Sequence, residues 1–135
     1  MFFDANVLFS GIYGGTGAPS TLLDLCTAGK ITMIISRQVL EETVRTLREK
    51  RPNALPSLQT LLSSLLPPVV DDPTPEEVAA YLPYVSHQED SPILAAAIKG
   101  RADFLVTGNT RHFQSPPGAS VVILSPRELL DHLSC

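Results

Sequence analysis

The stretch Met1-Phe2-Phe3-Asp4-Ala5-Asn6-Val7-Leu8 decides the fold. Met1-Phe2-Phe3 is a short apolar run rich in aromatic residues, the pattern of a buried strand. It ends abruptly on Asp4. A carboxylate at the tip of a buried strand is costly unless something pairs with it. Asp4 therefore either caps the following helix through its side-chain oxygen or holds a cation. Further acidic groups stand at the edges of later apolar segments, at Glu41-Glu42, Glu89-Asp90 and Asp103. A fold that gathers some of them beside Asp4 would build a metal site.

The rest of the chain alternates strand-like and helix-like segments. A Gly-rich loop is expected from Gly11 to Gly17, then a helix from Pro19-Ser20-Thr21 with Gly29 as its stop. Ile31 to Ile35 reads as a strand. Ser36 is placed to cap a helix over about 37–50, on which Val39, Leu40, Val44 and Leu47 fall at helical spacing. Pro52 ends it. A helix over 53–66 carries Leu58, Leu61, Leu62 and Leu65 on one face, and Pro67-Pro68 breaks it. Val69-Val70 reads as a short strand. Thr74-Pro75-Glu76-Glu77 and Ser125-Pro126-Arg127-Glu128 both have the chemistry of a helix start. Ser91-Pro92 opens an apolar helix, Ile93 to Lys99, closed by Gly100. Phe104–Thr107 and Val121–Leu124 complete the strands. These strands are continuous apolar runs without alternation, and they are interleaved with helices. That combination predicts an α/β three-layer sandwich around a central parallel sheet covered on both faces. Ligands in such sheets sit beyond the carboxyl ends of the strands, where Asp4 and Asn109 would fall.

At 135 residues, a single domain spanning 1–135 is expected. A hydrophobic fraction of 44% against 18% charged is globular and excludes a disordered tail protein. With no long apolar run and no leader-like start, the expected location is the cytoplasm, away from any membrane. Cys26 and Cys135 are not in a CxxC pair and are read as reduced. The net charge of −4 is unlike a general nucleic-acid coating protein. An enzyme acting on nucleic acid stays possible, because a cation held by an acidic site restores attraction to phosphate.

Taken in order, four segments resemble the motifs of PIN-domain ribonucleases, and the resemblance covers nearly the whole chain. Phe3-Asp4-Ala5-Asn6-Val7-Leu8 is similar to the opening strand with its Asp-x-Asn motif. Ser36 to Glu42 resembles the second motif, with Glu42 fitting the acidic position better than Glu41. Glu89-Asp90-Ser91-Pro92-Ile93-Leu94-Ala95-Ala96-Ala97 resembles the third, an Asp before an Ala-rich helix. Ala102 to Phe113 is similar to the closing strand and loop. The family often carries aspartate where this chain has Asn109, which offers a carbonyl oxygen but no charge.

This resemblance is strongest to the VapC-like toxin branch. It implies a metal-dependent endoribonuclease that uses Mg²⁺ or Mn²⁺, acts through a metal-activated water and leaves phosphate on the 5′ side. Asp4 and Asp90 would be the main metal ligands, and Glu42 would bind directly or through water. Asn109 would orient a water or the scissile phosphate. Asn6, Thr107 and Asp103 would be supporting residues, and Arg111, Arg101 and Lys99 would contact RNA phosphates. The implied partners are an RNA substrate, a cognate antitoxin and a second copy of the chain, with the helices at 53–66 and 74–84 as candidate dimer faces.

Two alternatives stand beside this. One is a PIN scaffold that no longer cuts, kept open by Asn109. The other is an acidic-site phosphatase, which would usually show a second Asp two residues after Asp4, where Asn6 stands. Several residues also have structural roles open to them. Glu41 and Glu42 in a first helical turn suit the helix dipole, and Glu41 is spaced to pair with Arg45. Arg45, Arg48, Lys50 and Arg51 read as a solvated helix end, and His112 as a surface or packing residue. Gly14-Gly15-Thr16-Gly17 lacks the Lys of a P-loop and reads as a connection.

Overall fold

The structure, a computed structural model, describes residues 1–14 and 16–134. Gly15 of the Gly-rich segment and the terminal Cys135 lie outside the described residues. The chain runs β1 (Phe2–Phe3), α1 (Ala5–Gly14), α2 (Ala18–Thr27), β2 (Ile35–Ser36), α3 (Arg37–Lys50), α4 (Leu55–Leu65), β3 (Val69–Val70), α5 (Pro75–Tyr81), α6 (Ser91–Lys99), β4 (Phe104–Val106), β5 (Val122–Leu124) and α7 (Pro126–Leu133). Single 3₁₀ turns stand at Pro52–Ala54, Leu82–Tyr84, Gln88–Asp90 and Thr110–His112.

β1, β4 and β5 pair in parallel, with β4 central, and β2 pairs in parallel with β3. A parallel bridge between Phe2 and Ile34 joins the two sets, with Phe3 N–H donating to Ile34 O at 3.1 Å and Ile34 N–H to Met1 O at 2.8 Å. The continuous order is therefore β3-β2-β1-β4-β5. Phe2, Phe3, Ile35, Leu105 and Val106 are fully buried, as strands covered on both faces must be.

This order explains the layers. The connections from β1 to β2 and from β2 to β3 step one way along the sheet, and the connection from β3 to β4 steps back. Right-handed crossovers then put the intervening helices on opposite faces. Accordingly α1 packs on α2 and α3, α2 on α7 and α4, while α5 packs on α6 and α6 on β2 and β4. The expected three-layer architecture with a central parallel sheet is the observed one.

The local starts follow the sequence. Ser36 Oγ accepts from Val39 N–H at 3.1 Å, and Thr74–Glu77 and Ser125–Glu128 form reciprocal capping boxes. Burial holds the Cys26 thiol up at about 11, so it stays protonated. Four expectations change. The strand expected at Ile31–Ile35 is Ile35–Ser36, with Ile34 contributing only the bridge. The helix expected over 74–84 ends at Tyr81 and tightens into a 3₁₀ turn. Glu41 and Glu42 stand beyond the first turn of α3, and Glu41 pairs back to Arg37 at 3.2 Å instead of forward to Arg45. Most informative, Gly11 is not in a loop, because α1 continues through Gly14.

Gly11 is there because α2 comes close. A Cβ at Gly11 would stand 2.5 Å from Leu23 Cδ1 and 3.1 Å from the Pro19 carbonyl oxygen. Leu23 is itself buried, so it has little room to move. Gly11→Ala should therefore destabilise the protein by about 1–3 kcal/mol, the cost of overpacking, although alanine is the better helix former. Urea denaturation of the variant checks the sign.

Candidate active site

In a doubly wound sheet the crevice opens where the strand order reverses, outside the carboxyl ends. Here that point lies between β1 and β4. Asp4 is the first residue after β1, and Thr107 is the first after β4. The Asp4 side chain is only 7% exposed. Its Oδ1 accepts from Ala5 N–H at 2.7 Å, and its Oδ2 accepts from the Thr107 hydroxyl at 2.9 Å. The same hydroxyl accepts from Asn109 N–H at 3.1 Å. Asn6 Oδ1 accepts from Gly108 N–H at 2.9 Å. Gly108 lies against that amide, where a Cβ would be 3.4 Å from Oδ1. Two of these hydrogen bonds, Thr107 to Asp4 and Gly108 to Asn6, lock the segment after β1 to the segment after β4, and the other two brace each segment locally.

Asp4 is neither a simple cap nor free of one. Its main-chain oxygen accepts from Val7 and Leu8 N–H, while its side chain takes the first helical N–H of α1. The carboxylate still lines a cleft of about 340 Å³ together with Asn6, Phe9, Glu42, Thr46, Lys50, Asp90 and Asn109. Glu42 comes from α3, which starts directly at the carboxyl end of β2. Gln38 Nε2 donates to its Oε1 at 2.9 Å. Asp90 closes the 3₁₀ turn before α6, and its Oδ2 stands 3.4 Å from His112 Nδ1. The next residue anchors α6, since the Ser91 hydroxyl donates to Val78 O at 2.6 Å.

The electrostatics follow from burial. Desolvation pushes the Asp4 carboxyl up to about 6, opposed by the Thr107 and Ala5 hydrogen bonds and assisted by the negative charges of Glu42 and Asp90. Burial also raises Asp90, with His112 and His87 pulling it down and Glu89 pushing it up. The His87 ring meets the His112 ring edge-on at 4.4 Å. His112, expected as a surface or packing group, thus stands against an acidic residue of the cleft.

Among the described residues, no three His, Cys, Asp or Glu side chains stand at the mutual spacing of a closed metal site. The converging donors of Asp4, Glu42, Asp90 and Asn109 are carboxylate and amide oxygens. That chemistry fits a hard divalent cation that keeps several of its waters.

Three expected residues are elsewhere. Asp103 precedes β4, so it is at the amino end of the sheet. There it acts on the Met1 amino group, which burial holds below its ordinary value while Asp103 pulls the other way. Arg101 follows α6 at the same end, at φ 55°. Lys99 closes α6, nine residues after Asp90 and roughly 13 Å along the helix axis, where it pairs with Glu77 at 3.4 Å. A residue that precedes a strand lies a strand's length from one that follows it, and this separates all three from the cleft. Arg111 lies in the turn after Asn109 and lines a neighbouring hollow of about 190 Å³ with His112 and Ser86.

The cleft also contains residues the motifs did not indicate. Glu42, Thr46 and Lys50 recur at i, i+4 and i+8, one face of α3. Lys50 is therefore at the cleft wall as well as at a solvated helix end. That spacing was available in the sequence. Phe9, four residues after Ala5, follows the same rule on α1.

The architecture and this cleft define an α/β protein with an acidic crevice at its switch point. A profile for the PIN domain matches residues 1–111, and the chain belongs to the PIN-domain family. Eight chains of solved structures match it. One is a chain of the VapBC2 structure from Rickettsia felis, determined bound to a DNA fragment from the VapBC2 promoter. It superposes with a TM-score of 0.65 at 21% identity, covering 90% of this chain and 96% of that one. No protein with a curated description matches the chain.

Asp4 generates a prediction of its own. A carboxyl whose folded pKa is raised, from 3.8 to about 6, costs stability above pH 6 and costs nothing below about 4. With chelator present, Asp4→Asn should therefore melt above the wild type at pH 8, by the equivalent of roughly 2–3 kcal/mol. The difference should shrink as pH falls through 6. Thermal unfolding at pH 8, 6 and 4.5 measures it.

Proposed function

We propose that this chain is a metal-dependent endoribonuclease and the toxin half of a toxin–antitoxin pair. One observation carries the proposal: Asp4, Glu42 and Asp90, separated widely in sequence, line a single cleft with Asn109 at the switch point of the sheet. Carboxylates that converge in this way repel one another, and a cation among them removes the repulsion. Mg²⁺ or Mn²⁺ fits the all-oxygen donor set.

In this proposal Asp4 and Asp90 hold the cation, and Glu42 holds it through water or directly. When bound, the ion neutralises charge on the phosphate and makes a water more acidic. Thr107 and Ala5 N–H keep the Asp4 carboxylate fixed. The Asn109 amide orients the attacking water or the phosphate, and Asn6 holds the loop that carries Asn109. Water attacks phosphorus, the bond to the 3′ oxygen breaks, and phosphate stays on the 5′ side. Lys50, at the cleft wall, takes the phosphate contact first expected of Lys99 and Arg101, while Arg111, in the turn after Asn109, would meet the chain beyond the cleft.

The toxin assignment extends the likeness to a VapBC2 chain, whose structure includes promoter DNA. The partner would be an antitoxin that covers the acidic cleft. Assembly as a homodimer belongs to the same proposal, with Leu66 and Val69, 79% and 49% exposed beside β3, as its natural edge.

RNA cleavage in Mg²⁺ or Mn²⁺ tests the nuclease. Asp4→Asn and Asp90→Asn should each lose more than the roughly 10- to 100-fold typical of a residue that only supports a metal ligand. Full activity in both variants would end the proposal. Lys50→Ala should raise KM for RNA several-fold, while Arg101→Ala leaves it unchanged, since only the first lines the cleft.

A further inference from the structure

The wall of the cleft continues into a stack of three side chains. Phe9 lines the cleft, and its ring stacks on Tyr13 with centroids 5.4 Å apart and planes 25° apart. The Arg51 guanidinium carbon lies 4.2 Å from the centroid of the same Tyr13 ring. Phe9 and Tyr13 are one turn apart on α1, and Arg51 follows Lys50 at the end of α3. The stack thus spans the two helices that form this wall.

Tyr13 is 47% exposed, a large aromatic surface left beside a polar cleft. Among the described residues, neither Lys50 nor Arg51 takes part in an ion pair. Lys50 lines the cleft beside Asp4, Glu42 and Asp90, yet among the described residues it pairs with none of them. Arg51 sits over an aromatic face, which holds the guanidinium there without matching its charge. Stacked aromatic and guanidinium planes are the surfaces on which unpaired bases settle, and stacking tolerates any base.

We infer that the Phe9–Tyr13–Arg51 stack is a base-stacking subsite for the single-stranded nucleotide adjoining the one cut in the cleft, with Lys50 meeting the phosphate between them. The inference rests on the nuclease proposal for its ligand, and it specifies the substrate as unpaired at that nucleotide. A duplex would keep its bases away from the stack.

Binding measured without cleavage separates the two claims. Fluorescence anisotropy in chelator would compare a labelled single-stranded oligoribonucleotide with an abasic oligonucleotide of equal charge. Tyr13→Ala should weaken the oligoribonucleotide by roughly 5- to 150-fold, the worth of one stacked base, and leave the abasic strand unchanged. Tyr13→Phe should bind as wild type does. Arg51→Gln should weaken both strands, the base-bearing one more. Tyr13 is exposed and near the end of α1, and matching melting temperatures would establish that its variants fold. Equal binding by wild type and Tyr13→Ala overturns the inference, and if the wild type still cleaves RNA the nuclease proposal stands. Equal weakening of both strands also overturns it, because the residue would then act through the backbone contact alone. A wild type that binds no single strand in chelator overturns the inference, and absence of cleavage with metal would then remove the nuclease proposal separately.

Discussion

The buried Asp4 carboxylate, bonded to Ala5 N–H and to the Thr107 hydroxyl, is the constraint on which the rest of the structure depends. It joins the ends of β1 and β4, the two strands between which the sheet reverses its winding. Were that joint loose, the crevice would lose part of its floor, because Asn109 N–H bonds to the Thr107 hydroxyl that Asp4 holds and Gly108 N–H bonds to Asn6. The joint is also the least comfortable place in the molecule for a negative charge. Desolvation and two neighbouring carboxylates work against ionised Asp4, and only two hydrogen bonds oppose them.

Much of this architecture was legible in the chain, and for a physical reason. Strands buried on both faces have to be apolar throughout, so Phe2-Phe3 and Leu105-Val106 announce themselves, and a polar residue at their ends stands out. Asp4 and Asn109 were visible as an acid and an amide just after such runs, and Glu42 and Asp90 as acids near the starts of helices. Strand polarity was harder to use. Asp103 adjoins β4 as closely as Thr107 does, with Arg101 two residues before it, yet both belong to the opposite end of the sheet, since they precede the strand and Thr107 follows it. Lys99 fails in the same way through the length of α6.

Other misses have a different origin. Gly11 looks like a loop residue because glycine usually breaks helices. Only the approach of Leu23 and Pro19 makes it a helix–helix contact, and that is tertiary information. His112 shows nothing in sequence that connects it to Asp90, since its position depends on the turn after Asn109 folding back over the start of α6. Lys50 lay at i+8 from Glu42 and was legible by periodicity. It was hidden by a sound competing explanation, that cations at a helix C-terminus suit the dipole. Both explanations hold for the one residue.

The charge layout then links stability to chemistry. The chain is acidic overall, and Asp4, Glu42 and Asp90 converge in the cleft, which Lys50 also lines while Arg51 packs on Tyr13 beyond it. Lys50 lines the same cleft, yet among the described residues it makes no ion pair with Asp4, Glu42 or Asp90. In the proposed nuclease the floor's charge would serve a cation from solution, and the wall's charge the phosphate of the substrate. On that proposal a cation on the floor would relieve the desolvated carboxylates and favour the approach of a phosphate past Lys50. The desolvation that raises the Asp4 carboxyl is the same penalty that a cation bound there would relieve.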